Sequence, residues 1–372
     1  MELCKLKDYL KEDFWIMPAT PKYKDYGVPY ITSKNIKNGK IDFSNVNYIS
    51  EEDYNSISRN RPIKNGDILI SMIGTLGETA IVTEEDGSFY GQNMFLVRLD
   101  ESKMDKDFFS HFFKSIFVKQ QLDRSKNKST QGYLKANHIE DLITPKIDLN
   151  TQRTVSKKLN IVDKLIIDKK NQIDLLNDLI KSQFVEMFGD PNFNEKGWNI
   201  GKINDIGTCV AGATPSTSVK EYWENGFIPW LSSGEVNKGR IFDTDTKITQ
   251  KGYDKASTKL VPPKTVLLAM AGQGKTRGLS AITEIELCTN QSVCSIVNNE
   301  KINPEYLLQY LRMQYNELRN ASTTSEGRGG LNLKIIGNYR IIIPPIELQN
   351  NFAEFVKQVD KQKFCSCMEV MA

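Results

Sequence analysis

At 372 residues the chain is longer than one hydrophobic core usually extends, so two or three domains are expected, and 39% apolar with 26% charged residues describes a globular fold. A net charge of +3 excludes a uniformly basic nucleic-acid coat, so any nucleic-acid contact has to be local. The N-terminus, MELCKLKDYLKEDF, lacks the apolar core of a secretory signal, and no apolar run approaches the ~20 residues of a membrane helix, which gives the expectation of a cytoplasmic protein with no membrane partner.

In chain order, short strands are expected at Val28–Ile31, Asp67–Ile73 and Phe95–Leu99, bounded by Gly, Pro and Asn. The stretch KDFFSHFFKSIFVKQQL, residues 106–122, repeats apolar residues at three and four and predicts a helix with a core stripe. A polar loop, Ser125–Gly132, leads to a short strand ending at Pro145. A long helix follows, with Leu159, Val162, Ile166, Ile173, Leu176, Ile180 and Met187 on the a and d positions of a heptad and Lys169 and Gln183 interrupting the seam. About thirty-five residues at 1.5 Å per residue span roughly 50 Å. Gly189-Asp190-Pro191 is its stop signal.

The order then repeats. Strands are expected at Ile228–Leu231, Val266–Ala271 and Val293–Val297, a helix over PEYLLQYLRMQYNELRN at 304–320, a loop at Ser322–Gly330 and a strand ending at Pro344-Pro345. A second long helix begins its heptads at Phe352, Phe355 or Val356, and Val359, then loses them in KQKFCSCMEVMA. The expected domains are therefore 1–149, a spacer helix at 150–197, 198–345, and a second, apparently truncated helix at 346–372.

Self-similarity at an offset of about two hundred residues supports this division. YKDYGVPYITSKNIKNGKIDF pairs with YWENGFIPWLSSGEVNKGRIF, ILISMIGTLGETAIV with VLLAMAGQGKTRGLSAIT, and PKIDLNTQRTVSKKLNIVDK with PPIELQNNFAEFVKQVDK. The repeat also judges AMAGQGKT, Ala269–Thr276, which has the spacing of a phosphate-binding loop and raises an NTPase alternative. Its partner, IGTLGETA, keeps the glycine turn without the Lys, and the β-leaning LSAIT follows where such a loop needs a helix. A strand-turn-strand hairpin with a polar, cationic tip fits better.

The stretches GDILISMIGTLGETAIV, VLLAMAGQGKTRG, PPIELQNNFAEFVKQVDK and LLNDLIKSQFVEMFGDP, spread across nearly the whole chain, resemble the DNA-specificity subunit of type I restriction-modification systems. The resemblance implies an α+β fold of two similar α/β target-recognition domains separated by long coiled-coil helices, a pseudo-twofold internal repeat. It implies a non-catalytic subunit whose domains each read one half of a split double-stranded DNA target. The helices pair antiparallel as a spacer and dock two methyltransferase subunits, and restriction (motor-nuclease) subunits join through them. S-adenosylmethionine belongs to the methyltransferase, and ATP and Mg to the restriction subunit; none is implied for this chain.

Base readers have to be Arg, Lys, Asn, Gln or Thr on loops, because these match the hydrogen-bonding edges of the major groove. The candidates are Gln273, Lys275, Thr276 and Arg277 on the glycine hairpin, Asn290 and Gln291 before the next strand, and Arg328 in the later loop. Their first-half counterparts are Thr75, Gln92, Asn93, Lys126, Lys128, Thr130 and Gln131. Gln92-Asn93 and Asn290-Gln291 fall at matching places, so they serve either base reading or a shared structural turn or phosphate contact. Arg312 and Arg319, seven apart, read as phosphate contacts or as solubilising charge. Tyr30 and Trp230 match across the repeat and read as core; Trp15 stays open.

The remaining residues offer no chemistry. The six cysteines have no CxxC spacing and, with only His111 and His138 besides, read as free thiols. There is no Asp/Asn-Pro-Pro-aromatic tetrapeptide of an amino-methyltransferase, no glycine-rich S-adenosylmethionine loop and no nuclease carboxylate-Lys cluster. The second helix is expected to stop soon after Phe364, where its heptads are lost, which leaves apolar positions late in the first helix, including Leu176 and Ile180, without an intramolecular cover. A methyltransferase, a second copy of the chain, or a weakened assembly that acts only as a scaffold are the three outcomes; Phe352, Val356 and Val359 are the second helix's own contribution to the seam.

Overall fold

The computed structural model describes residues 2–17, 21–37, 39–72, 77–126, 135–272, 274–321 and 330–371, with side chains for all of these except 125–126 and 366–371. The chain divides into two compact units, Met1–Ile167 and Asp168–Ala372.

In the first unit, Met94–Val97 lies between Trp15–Ile16 and Ile68–Ser71 in a four-stranded sheet completed by Thr79–Ile81. The sequences MFLV and ILIS have no polar alternation, and every residue of both strands is buried, as a sheet covered on both faces requires. Phe95 stands opposite Ile70 in antiparallel register. On one face Ile70 and Phe95 join the four phenylalanines Phe108, Phe109, Phe112 and Phe113 of helix α1 (Lys106–Lys114). On the other, Leu69 and Leu96 pack with Tyr30 and Ile31 of a smaller sheet. There Val28–Ile31 runs antiparallel to Asn47–Ile49 and parallel to Tyr90–Gly91, with Tyr30 opposite Tyr90.

The second unit repeats these pairings and adds one edge strand. Its larger sheet has the order Gly207–Ala211, Val293–Asn298, Val266–Ala269, Ser280–Thr283 and Arg240–Ile241. Its smaller sheet places Ile228–Leu231 antiparallel to Thr246–Ile248 and parallel to Cys288–Thr289, with Trp230 opposite Cys288. Tyr30 and Trp230 thus occupy one core position in the two copies, both buried.

Each unit is closed by a pair of antiparallel strands, Leu3–Lys5 with Ile143–Pro145 and Asn199–Lys202 with Arg340–Ile343. A long helix leaves directly after each pair: α2 (Leu149–Phe188), and, beyond helix α3 (Pro304–Met313), α4 (Ile346–Met371). Both departures are fixed by a buried glutamine. Gln152 Oε1 accepts from the Asp105 N–H at 2.9 Å while its Nε2 donates to the carbonyls of Ile147 and Lys103 at 2.7 and 3.0 Å. Gln349 repeats this in the second unit, accepting from Asn303 N–H at 2.8 Å and donating to Pro344 and Lys301 at 2.8 and 3.3 Å. Asp105 and Asn303 are the N-caps of α1 and α3, so one amide joins the start of the short helix to the start of the long one.

Three expectations are corrected. The helix over 106–122 is two helices, broken where Ser115 turns extended, and 304–320 is likewise divided at Gln314, whose buried amide binds Asn192 and Tyr339. The second long helix does not stop after Phe364. Its backbone stays helical through Met371, because CSCMEVM loses the heptad without containing a helix breaker. Near the end of α2 the buried stripe moves off the heptad, so that Ile180, Phe184 and Phe188 are buried while Met187 is half-buried. Phe184 and Phe188 clasp Phe352 of α4 and Tyr306 of α3 with ring centroids 4.8–5.6 Å apart, so the helix end packs on a globular lobe as well as on a helix.

Gln349→Ala strands a buried N–H and two carbonyls and is expected to cost about 3 kcal/mol. Exposed Glu354→Ala is expected to stay within about 0.5 kcal/mol. Urea unfolding of the full chain compares the two.

Candidate nucleic-acid interface

The hairpin built by Val266–Ala269 and Ser280–Thr283 pairs Leu268 with Ser280 and carries its tip beyond the sheet. Ala269 and Gly278 begin the tip with a backbone bond of 2.9 Å, and Leu279 N–H closes back on Thr276 O at 3.0 Å. Gly278 has φ +87°, and a Cβ there would meet Arg319 Cγ at 3.2 Å, so turn and packing both call for glycine. The tip is seated on helix Tyr315–Ala321: Tyr315 Oη donates to Lys275 O at 2.7 Å, and Arg319 Nη1 donates to Arg277 O at 3.2 Å.

Two further segments converge on the same edge. Met270 N–H donates to Ser292 O at 2.8 Å, and Leu331 N–H to Met270 O at 3.0 Å, which brings residues 290–292 and 330–331 to the hairpin's base. At this corner Asn290 Oδ1 accepts from Ser292 N–H at 3.0 Å, a local turn, whereas the neighbouring Gln291 is exposed and accepts from Thr214 Oγ1.

The first unit places its counterparts on the same frame. Met72 N–H donates to Asn93 O at 3.0 Å, Asn93 sits exposed at φ +61°, and Gln92 Nε2 donates to Tyr23 Oη at 3.2 Å. The backbone N–H groups of Gln92 and Asn290 both donate to the end of the matching strand, Ile31 O and Leu231 O. The shared placement therefore comes from the shared turn, and the side chains that differ from it are Gln92 and Gln291.

Of the hairpin residues expected to read bases, Lys275 is exposed and Thr276 and Arg277 are half-buried. Thr75, Lys128, Thr130, Gln131, Gln273 and Arg328 lie outside the described residues, as does the side chain of Lys126. Arg319 is engaged in holding the tip, and Arg312 donates to Gly239 O at 3.3 Å. Trp15, left open by the sequence, donates its indole N–H to Tyr90 Oη at 3.1 Å, a structural contact. Thr214, Tyr23 and Tyr315 carry no sequence signal of their own; only their place in polar loops or beside a loop hints at them.

The hairpin leads into the strand Ser280–Thr283, so among the described residues no helix N-terminus follows Ala269–Thr276 and the phosphate-loop geometry is missing.

Along the long helices, Ile180, Phe352, Val356 and Val359 are buried and Ile166, Ile173, Leu176 and Met187 half-buried. The expectation of an uncovered seam at Leu176 and Ile180 is corrected, because both pack in the cluster that holds Phe352, Val356 and Val359 of α4. Phe184 and Phe188 meet Phe352, while Asn177 and Ile180 border the cleft shared with Val356, Asp360 and Lys363, so α4 runs antiparallel to the second half of α2. Leu159 and Val162, the repeat equivalents of Val356 and Val359, are instead 39% and 48% exposed. No helix among the described residues is long and apolar enough to cross a membrane.

Two copies of one α/β domain, each with a polar loop edge and each running into a long helix, define a tandem-repeat protein. The family model of the type I restriction modification DNA specificity domain matches both copies, at residues 3–177 and 195–364, and the chain belongs to that family. It is 23% identical over 385 aligned positions, 96% of this chain and 86% of the relative, to the putative type I restriction enzyme MjaX specificity subunit of Methanocaldococcus jannaschii. It is 26% identical over 160 residues to the EcoR124I/EcoR124II specificity subunit of Escherichia coli, a match over 42% of this chain and only 40% of that protein. The crystal structure of a type I restriction-modification S subunit from M. genitalium has the same fold, with a TM-score of 0.59 at 14% identity over 100% of this chain and 92% of that one.

Gly278→Ala is expected to cost about 1–3 kcal/mol, from the left-handed backbone and the Arg319 contact together. Gly274→Ala has φ +77° but open space around its Cβ and is expected to cost about 1 kcal/mol. Denaturant unfolding of the two variants separates packing from conformation.

Proposed function

We propose that the chain is the DNA-specificity subunit of a type I restriction-modification complex, in which each unit reads one half of a split target. One observation supports this reading most: two units with the same core strand order carry different sequences between the paired hairpin strands, MIGTLGE and MAGQGKTRGL, as two readers of different half-sites require. The exposed Lys275 and Gln291 in the second unit, and the exposed Asn93 and half-buried Gln92 in the first, are the base readers among the described residues, each good pairing contributing about 1–3 kcal/mol of discrimination. Thr75, Lys126, Lys128, Thr130, Gln131, Gln273 and Arg328 complete the set from the sequence alone.

The long helices serve as spacer and as docking surface. Leu159 and Val162, open where Val356 and Val359 are covered, suit an apolar helix of a methyltransferase subunit, and restriction subunits join through it. A second copy of this chain is the competing occupant. The chain itself is non-catalytic: methyl transfer and ATP-driven steps belong to those partners, which hold S-adenosylmethionine and ATP with Mg. Such a complex works in the cytoplasm.

Mapping methylated bases in cells with and without the gene tests the proposal. A two-part motif with a constant gap that appears only with the gene, together with co-purification of a methyltransferase, is expected. Nucleotide turnover or DNA modification by the purified chain alone would overturn it.

A further inference from the structure

Lys114 and Arg312 occupy one position in the two copies. Arg312, near the end of α3, reaches over the turn that follows the 3-10 segment Ser233–Lys238, and its Nη2 lies 2.8 Å from where a Cβ on Gly239 would stand. Lys114, the last residue of α1, holds its Nζ 3.7 Å from the same point on Gly39. Both glycines are left-handed, at φ +71° and +81°, and both carbonyls accept from the next strand of the sheet, from Ile282 and Ile81. A cation over a glycine turn is therefore a built and repeated feature.

Both cations are solvent-exposed, and among the described residues neither has a carboxylate within ion-pair distance. Two buried or half-buried arginines of the fold are neutralised: Arg98 by Asp67 and Glu12, Arg240 by Glu284, Glu305 and Asp360. Desolvation of its guanidinium, followed by the like charge of Arg240, lowers the proton affinity of Arg312 from its usual value, while Glu305 and Asp360, neither within ion-pair distance, act in the opposite direction. Beside it opens a cleft of about 500 Å³ bordered by Asn177, Lys181, Asn237 and Gln309, with no carboxylate among the described residues of its wall; Glu305 and Asp360 line the adjoining cleft on the other side of Arg312. Lys181 and Lys238 there are already held by Asp178, Glu235 and Asp245, so among the described residues of the cleft Arg312 is the cation left to bind an anion.

Readers of different sequences diverge where they touch bases and agree where they touch what all duplexes share. That common element is the phosphate backbone. We infer that Lys114 and Arg312 are equivalent, sequence-independent contacts to DNA phosphates, one in each unit. The inference rests on the DNA reading above and adds to it a residue pair that positions the duplex without selecting its bases. Arg312 lies at the end of α3, and the helix that follows the break at Gln314 carries the Arg319 that seats the hairpin tip, so the proposed backbone contact and the base-reading edge are held by adjoining helices.

The alternative is that each cation only caps the carbonyl of its glycine turn, and salt dependence distinguishes the two. Dissociation constants of the full chain for a duplex with the mapped target and for an unrelated duplex are to be measured across salt concentrations, for wild type, Lys114→Gln, Arg312→Gln, the double variant and Arg312→Lys. Lys357→Gln, an exposed cation paired with Glu354, is the control. The magnitude of the log–log salt slope is expected to fall by about 0.9 per substituted cation and about 1.8 in the double variant, on both duplexes alike. Arg312→Lys is expected to restore the slope and Lys357→Gln to leave it unchanged. Unaltered slopes, or a fall on the target duplex only, would overturn the inference while the DNA reading stands. A wild-type chain that binds neither duplex would sink both.

Discussion

Each half of this molecule is held to its long helix by one buried amide. Gln152 and Gln349 use both N–H donors and the carbonyl of their side chains on three backbone groups from the helix entry, the preceding loop and the cap of the short helix. A glutamate could not donate to the two carbonyls, and an apolar residue would satisfy none of the three. Since a buried polar group without a partner costs more than a made bond returns, the arrangement is close to all-or-none. The direction in which α2 and α4 leave their units follows from it.

A second tie reinforces the first, and here the copies differ. Asp163 and Asp360 are equivalent positions in the VDK turn of the two helices. Asp360 binds Arg240, which also binds Glu284 and Glu305; Asp163 lies 3.8 Å from the His111 ring, whose other nitrogen is 2.6 Å from Asn160. The attachment point is kept while its chemistry changes. Neutral amide clasps and local charge pairs thus divide the labour: the first fixes the joint, the second adjusts it to each unit.

The same contrast between frame and detail applies to the polar edge. Backbone bonds from Gln92 and Asn290, from Met72 and Met270, are copied between the units, so the loops leave the sheet from matching places. Their side chains are not copied. A frame that is stable without reference to the tip residues lets those residues vary, the condition for changing a recognised sequence without refolding its reader. The resemblance of AMAGQGKT to a phosphate loop is a by-product of that freedom: glycine turns and a lysine recur in both, but here a strand follows.

Much of this was legible in the amino-acid sequence, because hydrophobic period and turn residues act locally. The repeat, the strands Val28–Ile31 and Ile228–Leu231, the hairpin and the long helix α2 all follow from spacing that any local segment carries. What only the tertiary structure decided depends on partners distant in the chain or on turns that reverse it. Those partners determine why Phe184 and Phe188 replace the heptad at the end of α2, and that Arg319 is tied to Arg277 O while Arg312 and Lys114 reach over their glycines. A reversing turn determines that Gln291 rather than Asn290 faces outward. A period announces a buried face; it does not say what will bury it. Polar residues announce even less, since Gln152 and Gln349 look like any surface glutamine until the backbone groups they must satisfy have been brought around them.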